Sequence, residues 1–210
     1  MISDKFDKAL YINLAHRKDR RVQAESEFVM HGIVAERMEA VNGNPDDIQT
    51  TIPSGHVGCI LSHLNCLLLA KRQGWETVLI LEDDVQFKHN ADRLFNKWWK
   101  GVPEDWDMLY LGGNHFGVKF KYRDNPKLQT VTAHVSRTHH TLTTHAYAVK
   151  NTMFDYLIEL LVQVDKPVDV LYIEAQSRFK TYTMMPNLAW QRDSYSDITN
   201  RRSNHTFMHS

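Results

Sequence analysis

The chain has 210 residues, 42% of them hydrophobic, and its 25 Lys and Arg balance 25 Asp and Glu. That length and composition suffice for a buried core in one domain over residues 1–210, and charge neutrality removes the broad positive field that would draw the chain to nucleic acid or an anionic membrane. No apolar run approaches the roughly 20 residues of a membrane span, and the stretch ALYINLA meets His16 and Arg17 too soon for a secretory signal, so a cytoplasmic protein is expected.

Residues 9–14 are the first predicted strand, followed by an exposed amphipathic helix over 19–31 and a second strand over 36–41. The breaker cluster Asn42, Gly43, Asn44 and Pro45 closes this unit. A more deeply buried helix is predicted over 57–73, with Ile60, Leu64, Leu67 and Leu68 near helical spacing. Cys59 and Cys66 both lie on it, about 10 Å apart along the axis, beyond disulfide reach, so both read as reduced core thiols. Residues 77–81 form a third strand that runs into Glu82, Asp83 and Asp84, and a helical pattern covers 85–99. Strands are predicted at 108–111 and 145–149, separated by the breakers Gly112-Gly113-Asn114 and Arg123-Asp124-Asn125-Pro126. Helical patterns follow at 152–164 and 170–179. Residues 186–210 are polar and aperiodic, a tail or a segment covering a site, and the sequon Asn204-His205-Thr206 reads as coincidental without an export signal.

Alternation of this kind predicts an α/β fold, in which ligands bind outside the carboxyl ends of the strands. Three adjacent carboxylates at one strand end repel one another and are costly to desolvate, so something must draw them together. If extended geometry persists, Glu82 and Asp84 face the same way and Asp83 the other. A hard divalent ion such as Mg²⁺ or Mn²⁺ takes one or two protein carboxylates and completes its shell with water and substrate phosphates. The alternative is an acidic first turn on the helix predicted at 85–99, favoured by the helix dipole. The triplet alone leaves both readings open.

In chain order, the segments YINLAHRKDRR (11–21), EAVNG (39–43), SGHVGCILSHLNCLLLA (54–70), VLILEDDV (78–85), WDMLYLG (106–112), PVDVLY (167–172) and PNLAWQRDSYSDI (186–198) resemble glycosyltransferase family 25, the lipopolysaccharide-type and procollagen-type sugar transferases. The resemblance implies a GT-A type, Rossmann-like sheet that binds a UDP-sugar with Mn²⁺ or Mg²⁺. It implies inverting transfer of a hexose, galactose or glucose, to a hydroxyl of a glycan or of collagen-type hydroxylysine. The Asp-x-Asp-like element becomes Glu82-Asp83-Asp84, and its leading Glu departs from the pattern. Glu82 and Asp84 are then metal ligands, with Asp83 on the nucleotide side.

On the same resemblance, Asn13, Leu14 and Arg17 follow the first strand and face the nucleobase, and Asn42 and Gly43 seat the uridine. Gly58, Ser62 and His63 contact ribose or phosphate from the buried helix, whose glycine-flanked N-terminus suits an anion. Each has a plainer reading. Arg17 and Arg20 could be a solvated helix start, Asn42-Gly43 a turn, and His63 a hydrogen-bonded core residue. Asp169 is the general-base candidate, or else a helix N-cap. Asp197 is a second candidate, or orders a closing loop. His205 would complete the metal shell, with Arg201 and Arg202 near the diphosphate, or belong to a frayed tail. His139, His140 and His145 lack zinc-ligand spacing, and the Trp98, Trp99 and Trp106 patch either offers faces to a sugar or packs a helix. Two rival functions share these features: a non-catalytic nucleotide-sugar-binding module, and a metal-dependent hydrolase or nucleotidyltransferase. Oligomeric state leaves no trace in the sequence.

Overall fold

The computed structural model describes residues 1–43, 48–115 and 128–193, together with the backbone of 195–196 and 201–202. The first half is a parallel unit of β1 (Lys8–Asn13), α1 (Lys18–Met30), β2 (Glu36–Glu39), α2 (Ser54–Gln73) and β3 (Thr77–Glu82), with β1 between β2 and β3. There follow β4 (Val85–Phe87), α3 (Ala91–Trp99), β5 (Met108–Tyr110), β6 (Leu128–Thr132), β7 (Val135–Thr138), β8 (Ala146–Lys150), α4 (Asn151–Leu161), α5 (Val168–Arg178), β9 (Thr181–Met184) and β10 (Ala189–Gln191). Eight strands form one sheet in the order β2-β1-β3-β8-β5-β9-β7-β6. β8 runs antiparallel to both β3 and β5, which makes the sheet mixed.

Strand alternation supplies both cores. Leu79 and Leu81 of β3 pack with Phe28 of α1 and with Phe95 and Trp98 of α3 in one apolar cluster. Val78 and Ile80 pack with Ile60, Leu64 and Leu67 of α2, and with residues of α4 and α5, in the other. Helices therefore cover both faces, which is why β3 reads as an unbroken apolar run. This is the expected α/β architecture, a Rossmann-like parallel half whose third strand ends in the acid triplet.

Two expectations change. The pattern over 85–99 is not one helix: Val85–Phe87 pairs antiparallel with β10, and α3 starts only after Asn90, whose left-handed φ of 59° turns the chain. The acid triplet thus precedes a strand, and its reading as a helical first turn falls away. The helix α1 is amphipathic in an inverted sense, burying Arg20 and Glu27 while Val22, Val29 and Met30 are exposed. Glu27 accepts the Phe87 backbone N–H at 2.7 Å, and Arg20 reaches the acid triplet, so partners at a distance in the chain hold the charges inward. The aromatic patch resolves to packing, with Trp98, Trp99 and Trp106 all against the first core.

Candidate functional site

A cavity of about 330 Å³ opens at the carboxyl ends of β1 and β3, within the size range of small-molecule sites. Asn13 and Leu14 border it from β1, Asn42 and Gly43 from the segment after β2, and Gly58, Ser62 and His63 from α2. All three acids of the triplet line it, as do Thr143, Thr144, Asp169 and Gln191. Eleven of the residues singled out in the sequence are therefore neighbours: Asn13, Leu14, Asn42, Gly43, Gly58, Ser62, His63, Glu82, Asp83, Asp84 and Asp169. Arg17 does not line the cavity and makes a two-pronged contact with Asp19. Asp197 and His205 lie outside the described residues.

Several of these side chains are already committed. Asn13 donates to Asp83 at 2.7 Å and accepts from the Arg37 guanidinium at 3.0 Å. Ser62 donates to the Gly58 carbonyl at 2.6 Å and accepts the Val41 N–H at 2.9 Å, tying α2 to the segment after β2. Gly58 permits that approach, since a Cβ there would lie 2.5 Å from the Val41 carbonyl oxygen. Gly43 has a φ of 73°, the left-handed conformation that glycine adopts without strain.

The triplet divides by partner. Asp83 is fixed by Arg20 at 2.9 Å as well as by Asn13. Arg20 is thus part of the site rather than a solvated helix start, a role the sequence does not signal because the pair spans 63 residues. Glu82 accepts the Thr144 hydroxyl at 2.7 Å and lies 3.4 Å from His63 Nε2. Asp84 is half-buried, but its Oδ1 atom is buried without a hydrogen-bond partner and its Oδ2 comes no closer than 3.7 Å to Arg20. Burial first, then the Glu82 charge, push the Asp84 carboxyl up to about 8. For Glu82, burial acts in the same upward sense, but the His63 ring and the Thr144 hydroxyl outweigh it and hold the group below its ordinary value. Acids pushed apart in this way commonly mark a functional site.

Asp84 with its idle, buried oxygen fits a cation, whose charge would favour the carboxylate form, and with Glu82 it offers the donors that a hard divalent ion takes. β10 closes this side: the Arg192 N–H donates to the Asp84 carbonyl at 2.7 Å, and the Arg192 guanidinium lies 3.6 Å from Glu27. Asp169 is the second residue of α5, with Pro167 at the N-cap position, so it is not the helix cap. Its Oδ2 accepts the Thr143 N–H at 3.1 Å, and its Oδ1 accepts the adjacent Val170 N–H at 2.9 Å. Thr144 carries no signal in the sequence, and Cys59 reads there only as a core thiol, although its Sγ lies within 4.8 Å of ligand atoms of His63, four residues on, and of Glu82.

A sequence model of glycosyltransferase family 25 (LPS biosynthesis protein) matches residues 6–172. Procollagen galactosyltransferase 2 of Mus musculus is 28% identical over 136 residues, covering 54% of this chain and 22% of that protein. Inactive glycosyltransferase 25 family member 3, also of Mus musculus, is 30% identical over 129 residues, covering 51% of this chain and 22% of that one. The chain thus matches only about a fifth of the length of these curated relatives. Among solved structures, a glycosyltransferase involved in the glycosylation of the major capsid of PBCV-1 superposes with a TM-score of 0.43 at 11% identity, over 73% of this chain and 65% of that one. No helix among the described residues is long and apolar enough to cross a membrane.

Proposed function

The chain belongs to glycosyltransferase family 25, and on that premise we propose that it transfers a hexose, galactose or glucose, from a UDP-sugar to a hydroxyl of a glycan or of collagen-type hydroxylysine. The reaction inverts the anomeric centre and uses Mn²⁺ or Mg²⁺ held by Asp84 and Glu82. The observation that carries this reading is the buried, unpartnered Asp84 Oδ1 in a cavity at the carboxyl ends of the parallel strands. The bound cation would neutralise charge on the departing diphosphate.

The protein's own groups supply the rest. Arg20 and Asn13 lock Asp83, which keeps the turn after β3 rigid and the Asp84 carboxylate aimed at one place. The first turns of α2, through Gly55, His56 and Gly58, border the cavity, and a helix N-terminus there favours the negative diphosphate. Asn42 and Gly43 sit on the wall where the nucleoside would rest. Asp169, which lines the cavity and accepts the Thr143 N–H, would accept the proton of the attacking hydroxyl, and direct displacement needs no nucleophile on the protein. Asp197 and His205 keep their proposed roles as second base and further metal ligand.

The assay is Mn²⁺-dependent release of UDP stimulated by an acceptor. Asp84→Asn is expected to lower turnover about 10²–10³-fold, the usual loss when one charge-stabilising group is removed. Full turnover in that variant would refute the metal role. The relative named inactive, 30% identical, keeps a second reading in view, a nucleotide-sugar-binding module without turnover. That module predicts metal-linked UDP binding with no acceptor-stimulated release. Product identity separates transfer from a hydrolase or nucleotidyltransferase, which would yield free sugar or a new phosphodiester.

A further inference from the structure

We propose that Cys59, His63 and Glu82 form a Zn²⁺ site on the α2 wall of the cavity, adjoining the hard-cation position at Asp84 and sharing Glu82 with it. The Cys59 Sγ, a His63 ring nitrogen and a Glu82 oxygen all lie within 4.8 Å of one another. Zn–S bonds of about 2.3 Å and Zn–N or Zn–O bonds of about 2.0–2.1 Å place tetrahedral ligand atoms about 3.5 Å apart, so side-chain rotation of about 1 Å closes the set. The helix fixes two of the three ligands, because residues four apart stack on one face.

The surroundings of His63 point to a ligand independently of that cluster. His63 is 0% exposed, and its Nε2, 3.4 Å from Glu82, makes no hydrogen bond of good geometry. Its Nδ1 lies 2.9 Å from the Tyr147 hydroxyl, which in turn lies 3.0 Å from the Tyr172 hydroxyl. In the metal-bound form, Nδ1–H donating to Tyr147 would turn the Nε2 lone pair toward the ion, replacing the attraction between the ring and Glu82 in the metal-free chain. That is the orientation that an outer-shell partner gives a metal-bound imidazole. Glu82 has such a partner in the Thr144 hydroxyl at 2.7 Å. Thiolate and imidazole favour Zn²⁺, whereas carboxylate donors such as Asp84 favour Mg²⁺ or Mn²⁺. On binding, the Cys59 S–H bond breaks, its proton leaves to solvent and a Zn–S bond forms. Three protein ligands leave a fourth position open to the cavity. Glu82 belongs to both sites, so Zn²⁺ would compete with the cation of the proposed transferase.

The test uses the full chain stripped of metal and titrated with Co²⁺ alone, followed by Zn²⁺ competition. A cobalt–thiolate charge-transfer band that Zn²⁺ abolishes is expected in wild type and in Cys66→Ser, and lost in Cys59→Ser. Tyr147→Phe keeps the ring packing but removes the hydroxyl, and is expected to weaken Zn²⁺ binding about 10-fold. Zn²⁺ should also slow alkylation of wild-type Cys59 at least about 10-fold, a readout that needs no variant to fold. No thiolate band in wild type, or an undiminished band in folded Cys59→Ser, would overturn the site. Neither measurement uses nucleotide or acceptor, and Asp84→Asn should retain the band, so this inference and the transferase reading fail separately.

Discussion

Two buried polar clusters of this protein look alike in composition and differ in how completely they are paired. Around His115, one ring nitrogen meets Thr141 at 2.9 Å and the other meets Asn187 at 2.9 Å. Asn187 donates to the Gly113 carbonyl, while Gln176 reaches Tyr110 and both backbone groups of Thr141. No side-chain atom of that network is without a partner. At the end of β3, by contrast, Asp84 Oδ1 and His63 Nε2 are buried and unmatched. Burial of a polar atom without a partner is expensive, so the first cluster serves the fold, and the second is the one for which we propose a ligand.

The largest effect should come from breaking the pair that anchors the second cluster. Arg20→Gln leaves Asp83 buried against its like-charged neighbours, and unfolding by denaturant should show a loss of about 3–5 kcal/mol. A loss under about 1 kcal/mol would mean that the acids need no internal cation. Next comes acid sensitivity of the first cluster. Burial holds His115 down to about 4 from an ordinary 6.5. The folded chain therefore keeps it neutral while the unfolded chain takes up a proton below about 6.5, so its stabilising share is complete above that pH and fades as pH falls toward 4. The share is about 3 kcal/mol, and His115→Gln should flatten that part of the stability–pH curve. The smallest effects form a pair of opposite sign. Asn187→Ala strands partners and should cost about 1–3 kcal/mol. Asp84→Asn relieves like-charge repulsion and should leave the metal-free melting temperature unchanged or raised. Equal destabilisation by both would erase the distinction between the clusters.

Much of the fold can be read in the sequence because the principal strands are buried on both faces: residues 78–81 are all 0% exposed and form one apolar run. β9 is equally buried, but its four residues include Thr181 and Thr183, too short and polar to stand out, and β6 is largely exposed. The strand β4 hides because Val85 and Phe87 extend the spacing of the helix behind them. The site was legible where local signals sufficed: an acid triplet at a strand end, and glycines at a helix start. Arg20 was not, since a charge in the run HRKDRR looks solvated until a partner 63 residues away buries it. The spacing of Cys59 and His63 lies in plain view, yet gains meaning only when β3 delivers Glu82 beside them.

The central claim is that the acids after β3 grip a divalent ion that in turn grips UDP. The most direct measurement is an electron paramagnetic resonance titration of Mn²⁺ into the full chain with and without UDP, repeated on Asp84→Asn. Saturable Mn²⁺ binding that UDP tightens in the wild type, and that folded Asp84→Asn loses, is the predicted result. Binding of UDP that ignores Mn²⁺, or Mn²⁺ binding that survives Asp84→Asn intact, would contradict it.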